Sequence, residues 1–260
     1  MRRKVLFFIA LMTLFMATAC NSNAWAIGPK IELDGRYWIT SISGNVQVSG
    51  SGLAPTDVDL KSDLNVSNSD VPDVRLIWHT GDKSWIRLSY TYLHYDGNTS
   101  LPRSVNFNGR TYTVSDRVAS DLTINYASLG WAWQFINIAD VVKFGTLISA
   151  KGLWTDASLN DQTMGVSESK NFAFGLPTVG AALDITPPLI PIDLFGEFSW
   201  MTAGKYGRLY NTEAGLKIKP PIPFLSIIGG YRIFDMTAKD DPDFAHVKIE
   251  GPFAGATLAF

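Results

Sequence analysis

The last ten residues, GPFAGATLAF, constrain the fold more than any other stretch of the chain. Counting back from the terminal aromatic Phe260, Leu258, Ala256 and Ala254 are apolar, while Thr257 and Gly255 are polar or small. A period of two belongs to an extended strand whose faces meet different surroundings. An apolar face opposite a small, polar one suits a barrel wall between lipid and a polar lumen.

The other end of the chain reads as an export signal. Arg2, Arg3 and Lys4 precede an apolar run over residues 5–19, and Ala24-Trp25-Ala26 places small residues at the two positions that a signal peptidase reads. The run is shorter than the ~20 residues of a spanning helix. Cleavage after Ala26 is therefore expected, dividing the chain into a signal peptide (1–26) and a single barrel domain (27–260). Ala17-Thr18-Ala19-Cys20 is a degenerate lipoprotein site and supplies the competing reading, lipidation at Cys20. Cys20 is the only cysteine, so the mature chain would hold no disulfide and no thiolate metal site. Removing residues 1–26 takes away three of 22 basic residues and none of 24 acidic ones, leaving 19 − 24 = −5. That balance gives no electrostatic case for nucleic acid.

Ten alternating segments follow: residues 30–49, 73–80, 84–96, 117–135, 141–154, 172–185, 192–201, 206–219, 224–234 and 246–260. In the first, Ile31, Leu33, Tyr37 and Ile39 share a face opposite Glu32, Asp34, Arg36 and Thr40. In the fourth, Leu122, Ile124 and Tyr126 are expected to face lipid, opposite Asp121, Thr123 and Asn125. Leu129, Trp131 and Trp133 then fall on the polar phase, which suggests a β-bulge near Ala127. A second phase change is expected at Pro177. Short connections at 81–83, 136–140, 186–191 and 220–223 alternate with a set expected to be longer, at 50–72, 97–115, 155–170 and 238–244, with 203–205 a tight turn among them.

The signal sequence and the Phe-ending last strand resemble those of Gram-negative outer-membrane β-barrel proteins. The resemblance implies an all-β fold: a single antiparallel transmembrane barrel, most simply of ten strands, with eight or twelve as alternatives. It also implies outer-membrane lipid and lipopolysaccharide as surroundings, and assembly through the C-terminal strand by the barrel-assembly machinery. A monomer is expected. Trp38, Trp78, Trp85, Tyr90, Trp131, Trp133, Trp154, Trp200 and Tyr231 are among the candidates for interfacial aromatic girdles.

The expected lumen carries Glu32, Asp34, Asp121, Asp184, Asp193, Glu197 and Glu213 against Arg36, Arg75, Arg87, Lys143, Lys151, Lys217 and Arg232. A selective pore would favour one sign, so equal numbers point to mutual pairing and a plugged, structural interior. A narrow channel for small solutes or ions is the alternative, and a rim-located surface hydrolase a further one. The hydrolase would rest on His94 beside Asp96, or on His246 after Asp240, Asp241 and Asp243. Omptin proteases, which resemble this in outline, use acidic and His-Asp pairs near the outer rim, but no matching acidic pair is defined here. No catalytic, cofactor or metal residue is assigned. Asp57, Asp59 and Asp63 are spaced as in a calcium loop but lack the glycine and closing glutamate of an EF-hand. Asn108-Gly109 predicts a hairpin whose Phe107 and Tyr112 either protrude or fold over the barrel.

Overall fold

The computed structural model describes residues 31–50 and 54–260. The expected signal peptide, the cleavage point after Ala26 and Cys20 lie outside these residues. Among the described residues, ten long antiparallel strands make the wall: β1 (Ile31–Gln47), β3 (Ser69–Gly81), β4 (Ser84–Ser100), β7 (Arg117–Ile138), β8 (Val142–Asp161), β9 (Val166–Ile185), β10 (Ile192–Thr202), β11 (Gly207–Ile218), β12 (Leu225–Asp240) and β13 (Asp243–Ala259). Each pairs with the next, and β13 pairs back onto β1 from Glu32↔Ala259 to Gln47↔Phe244. Closure leaves no wall strand with an open edge, the condition for placing strands in hydrocarbon. Three short strands lie in the two long connections: β2 (Val58–Asp59), β5 (Val105–Phe107) and β6 (Arg110–Tyr112).

The alternation expected from sequence holds along β1, where Asp34, Arg36 and Thr40 are buried and Tyr37 and Ile39 exposed. It also holds without interruption where two phase changes were expected. The β4–β7 register runs unbroken from Ser84↔Trp133 to Ser100↔Arg117, and the β8–β9 register passes through Ala150↔Pro177 unshifted. There is no bulge at Ala127; the one shift between β7 and β8 lies between Gln134 and Ile136.

What changes is the surroundings of each face. At one level of the wall Trp131, Ile148 and Val179 lie side by side, outward and apolar. Further along the same face Thr123, Asp156 and Asn171 are neighbours, outward and polar. On the inward face at that level, Ile124 and Phe172, on either side of Thr155, are apolar and pack into a core. β7 has 22 residues and β8 and β9 have 20 each, whereas ~9–11 suffice to cross a bilayer. About half of each hairpin therefore stands beyond the apolar belt, where the outside is water and the inside must supply its own core.

This reassigns several residues. Leu122, Ile124 and Tyr126 point inward; Asp121, expected in the lumen, is outside with half its side chain exposed. Trp38 and Trp85, expected in the girdles, are buried inside, whereas Trp78, Tyr90, Trp131, Trp133, Trp154, Trp200 and Tyr231 are exposed on the outer wall. Residues 155–170 and 238–244, expected as long loops, are mostly strand, with β8 and β9 joined only by residues 162–165. Their serines, threonines and asparagines read as loop in sequence because neither face there meets lipid.

The belt boundary gives a direct prediction. Leu129→Arg, on the outward face inside the belt, destabilises the barrel by about 2–4 kcal/mol, while Thr123→Arg, three rows along the same face, costs no more than about 1. Reversible urea unfolding in lipid vesicles measures both. Equal penalties would place Thr123 in hydrocarbon.

Candidate functional site

The barrel interior concentrates the charge that the sequence placed there. Inward positions of β1, β3, β11 and β12 bring together Arg36, Asp73, Arg75, Glu213 and Arg232, each at most 5% exposed. Arg36 donates to Asp73 through Nε at 2.8 Å and also through Nη2, and reaches Glu213 Oε1 through Nη1 at 2.6 Å. Arg75 donates through both Nη atoms to the two Glu213 oxygens. Thr91 Oγ1 donates to the second Asp73 oxygen at 2.7 Å. Arg232 donates from Nε to Asn211 Oδ1 at 3.0 Å and stacks on the rings of Trp38 and Tyr126, at 4.6 and 5.4 Å. Arg36 lies over Phe253 at 4.4 Å. Lys151 donates to Tyr126 Oη at 3.0 Å. Planar guanidiniums suit such a cluster because they bond carboxylates in pairs and stack on aromatic faces together.

Toward the short-turn end the pairs continue. Arg87 on β4 holds Glu197 on β10 with two bonds of 2.6 Å across the lumen. Lys217 donates to Glu32 at 2.6 Å, and His79 contacts the same carboxylate at 3.1 Å. Gln134 donates to Asp184, Thr257 to Asp34 and Lys219 to Asp193. Lys143 is the register partner of Asp184. All of these side chains except Thr257 and Lys219 line a vestibule of about 240 Å³ whose lining reaches Arg75 and Glu213 of the central cluster.

Toward the long-loop end the interior becomes apolar. Ile42, Tyr95, Val118, Ile124, Leu159 and Ile249 from the wall pack with Val58, Leu60, Leu64 and Val66 of the first long connection. The second connection adds Leu101, Val105, Phe107 and Tyr112. Asn108 and Gly109 take φ of 50° and 79°, the two positive values that a tight Asn-Gly hairpin turn needs. The hairpin folds inward: Phe107 is 3% exposed and Tyr112 0%. Burial pushes the Tyr112 hydroxyl up to about 12.

The candidate calcium loop holds itself together instead. Asp59 accepts from the backbone N–H groups of Lys61 and Ser62, at 2.8 and 2.7 Å. Asp57 accepts from Asn45, and Asp63 is held by Arg103 at 2.6 Å. No group of three potential metal ligands occurs among the described residues. The two candidate histidines are not brought together. His94 faces outward on β4 near Thr123 and Asp121, at 3.2 and 3.6 Å, and His246 on β13 meets Asp235 at 3.4 Å, with β1 and β3 between the two strands. Tyr95, between His94 and Asp96, points the other way and donates to Thr40.

Sequence reasoning missed Asp73, which completes the cluster. It shares the parity of Arg75, the signal that could have found it, but the preceding Pro72 made it look like the start of a strand. Tyr126 was missed as a lumen residue through the phase change assigned to β7.

With this geometry in view, the fold is similar to that of the outer-membrane protease OmpT from Escherichia coli, with a TM-score of 0.59 and 10% identity, covering 88% of this chain and 96% of that one. Two other similar structures are the translocator domain of the autotransporter NalP from Neisseria meningitidis (TM-score 0.48, 8% identity, 100% and 97% covered) and the attachment invasion locus protein Ail of Yersinia pestis (0.36, 14%, 89% and 99%). No protein-family model and no curated protein matches the chain. The chain thus has the fold of outer-membrane β-barrel proteins, and the likeness to OmpT is one of fold.

The Arg103–Asp63 pair makes the cap sensitive to acid. The Arg103 hydrogen bond holds the Asp63 carboxyl below the usual aspartate range. A lowered carboxylate contributes stability above its unfolded value, near pH 4, and loses it as pH falls through the folded value. Arg103 is half exposed, so the pair contributes no more than about 1 kcal/mol. Hydrogen exchange over residues 57–66 is therefore several-fold faster in Arg103→Ala than in wild type at pH 7. The ratio falls toward one as the pH drops through the lowered folded value of Asp63, below the usual aspartate range; a ratio independent of pH would contradict the assignment.

Proposed function

We propose that the chain is an integral outer-membrane protein whose barrel is closed to solutes and which acts through its body and outer surface. The observation that carries this reading is the cluster of Arg36, Asp73, Arg75, Glu213 and Arg232, fully buried across the waist of the lumen. The apolar cap from the two long connections lies beyond it. Three guanidiniums packed with two carboxylates and aromatic rings leave no open lining of one sign for a permeant ion to follow. A ten-stranded barrel is only a little wider than the eight-stranded kind that side chains fill.

In this reading the short turns face the periplasm and the long connections face outward. The strand ending in Phe260 is the segment presented to the barrel-assembly machinery, and outer-membrane lipid and lipopolysaccharide surround a monomer. The separation of His94 from His246, both on the outer wall, weighs against a rim hydrolase built on them. The periplasmic-end vestibule is the feature that favours a narrow channel, and its upper wall is the ionic cluster.

The chain refolded from Ile27 to Phe260 into a planar bilayer, with insertion confirmed by altered gel migration on heating, gives no discrete current steps. Reproducible unitary steps at neutral pH would overturn the closed-barrel reading.

A further inference from the structure

The cations of the outward wall beyond the apolar belt are gathered on one side of the barrel. Across β11, β12 and β13 the register builds rows from the belt upward: Ala214–Tyr231–Pro252, then Thr212–Ile233–Glu250, then Tyr210–Asp235–Lys248, then Arg208–Thr237–His246. Lys239 follows one row higher on β12, and Lys205 lies in the adjoining turn between β10 and β11. Lys205, Arg208, Lys239 and His246 line a groove of about 380 Å³, with Phe244 on one side and no carboxylate in its lining.

Three of the groove's neighbours are already engaged. Asp235 faces His246 at 3.4 Å, Glu250 accepts from Lys248 at 2.8 Å, and Asp241 pairs with Lys239 at 3.3 Å. Among the described residues Arg208 has no carboxylate partner, and Lys205 only meets the ring of Tyr206 at 5.1 Å. On β7, β8 and β9 the corresponding outward face carries Asp121, Asp156, Ser169 and Asn171, and no cation between the belt and the hairpin tips.

We infer that this groove binds a phosphate-bearing headgroup of an outer-leaflet lipid. The inference rests on the outer-membrane reading above and names a partner for its outer wall. Position selects a lipid over a free anion. Lys248 lies one row above Ile233 and Arg208 two, about 7 and 14 Å along strands tilted by about 40°, or roughly 5 and 11 Å in height, so the cations run from the polar layer bordering the hydrocarbon to just above it. A lipid whose phosphate sits in the groove lays its chains on Ile233, Tyr231 and the apolar rows beneath. Cations in this layer attract anionic headgroups, and the effect adds with each one. Arg208 supplies a planar donor pair matched to phosphate oxygens.

The folded chain in detergent is mixed with lipid A carrying two phosphates, with the same lipid carrying one, or with inorganic phosphate, and retained ligand is read by native mass spectrometry. Wild type is expected to hold the bisphosphorylated lipid most tightly. Lys205→Glu/Arg208→Glu/Lys239→Glu should hold it on the order of 100-fold more weakly, while Arg117→Glu at the opposite hairpin leaves it unchanged. Should the triple variant fail to fold, Arg208→Gln replaces it, with roughly a five-fold loss expected. Equal retention by wild type and folded variant would overturn the proposal. So would indifference to the number of lipid phosphates, which assigns retention to the acyl chains, or displacement of the lipid by equimolar inorganic phosphate, which assigns the groove to free anions. A folded barrel that retains no lipid refutes this groove alone; a chain that never folds in detergent or lipid refutes the outer-membrane reading.

Discussion

Everything inside this barrel is arranged around the buried contact of Arg36 and Arg75 with Asp73 and Glu213. Four ionised groups in a space withdrawn from water are costly, and their mutual attraction offsets that cost only when nearly every lone pair and N–H is met. Here Thr91 meets the free oxygen of Asp73, and Phe253 receives the open face of Arg36. The partners come from strands nearly opposite in the wall, β3 and β11 for Arg75 and Glu213. The cluster therefore ties the barrel across its diameter as well as filling it. Removing one partner leaves a buried charge uncompensated, a change that typically costs about 3–5 kcal/mol.

Beyond the cluster the protein solves a different problem. The wall rises far past the belt, and a tall barrel standing in water needs an interior that excludes water. The two long connections supply it by turning inward: Leu60, Leu64 and Val66 from one, Val105, Phe107 and Tyr112 from the other. Burying a large apolar side chain contributes about 1.5–3 kcal/mol, ample to hold short strands such as β2, β5 and β6 that would not persist alone. The result is one barrel with two solvents outside and two kinds of core within. Apolar faces outward against lipid in the lower half; apolar faces inward, with the first two connections, in the upper half.

That inversion explains how much of the fold was legible in the sequence. All ten wall strands and the short turns were readable, because period-two alternation and Pro-Gly-Asn punctuation are local signals. Most interior charges were readable too, since Arg36, Arg75, Glu197 and Glu213 lie on the parity opposite the apolar face of their strands. What misled was the assumption that apolar means outward along the whole strand. At Ala127 and Pro177 the polarity of the faces exchanges while the register stays fixed, and sequence alone renders this as a slipped phase. Asp121 and Tyr126 exchanged places for that reason. The inward fold of Phe107 and Tyr112 depends on packing into the core shared with the wall and the first connection, which no local pattern encodes. The basic groove between β10 and β13 was likewise illegible, because register brings Lys205 and Arg208 at one turn beside Lys239 and His246 of another hairpin.

The central claim is that the waist and cap close the lumen, and labelling of a single lumen cysteine tests it most directly. Ile77→Cys places a thiol in the vestibule on the short-turn side of Arg75, and Thr163→Cys places one in the exposed β8–β9 turn at the opposite end. With the chain inserted in vesicles, long-loop end outward, a charged membrane-impermeant maleimide added outside should modify the Thr163 variant and leave the Ile77 variant untouched until the vesicles are permeabilised. Modification of the Ile77 variant in intact vesicles at a rate comparable to that of the Thr163 variant would mean that the lumen is open from end to end.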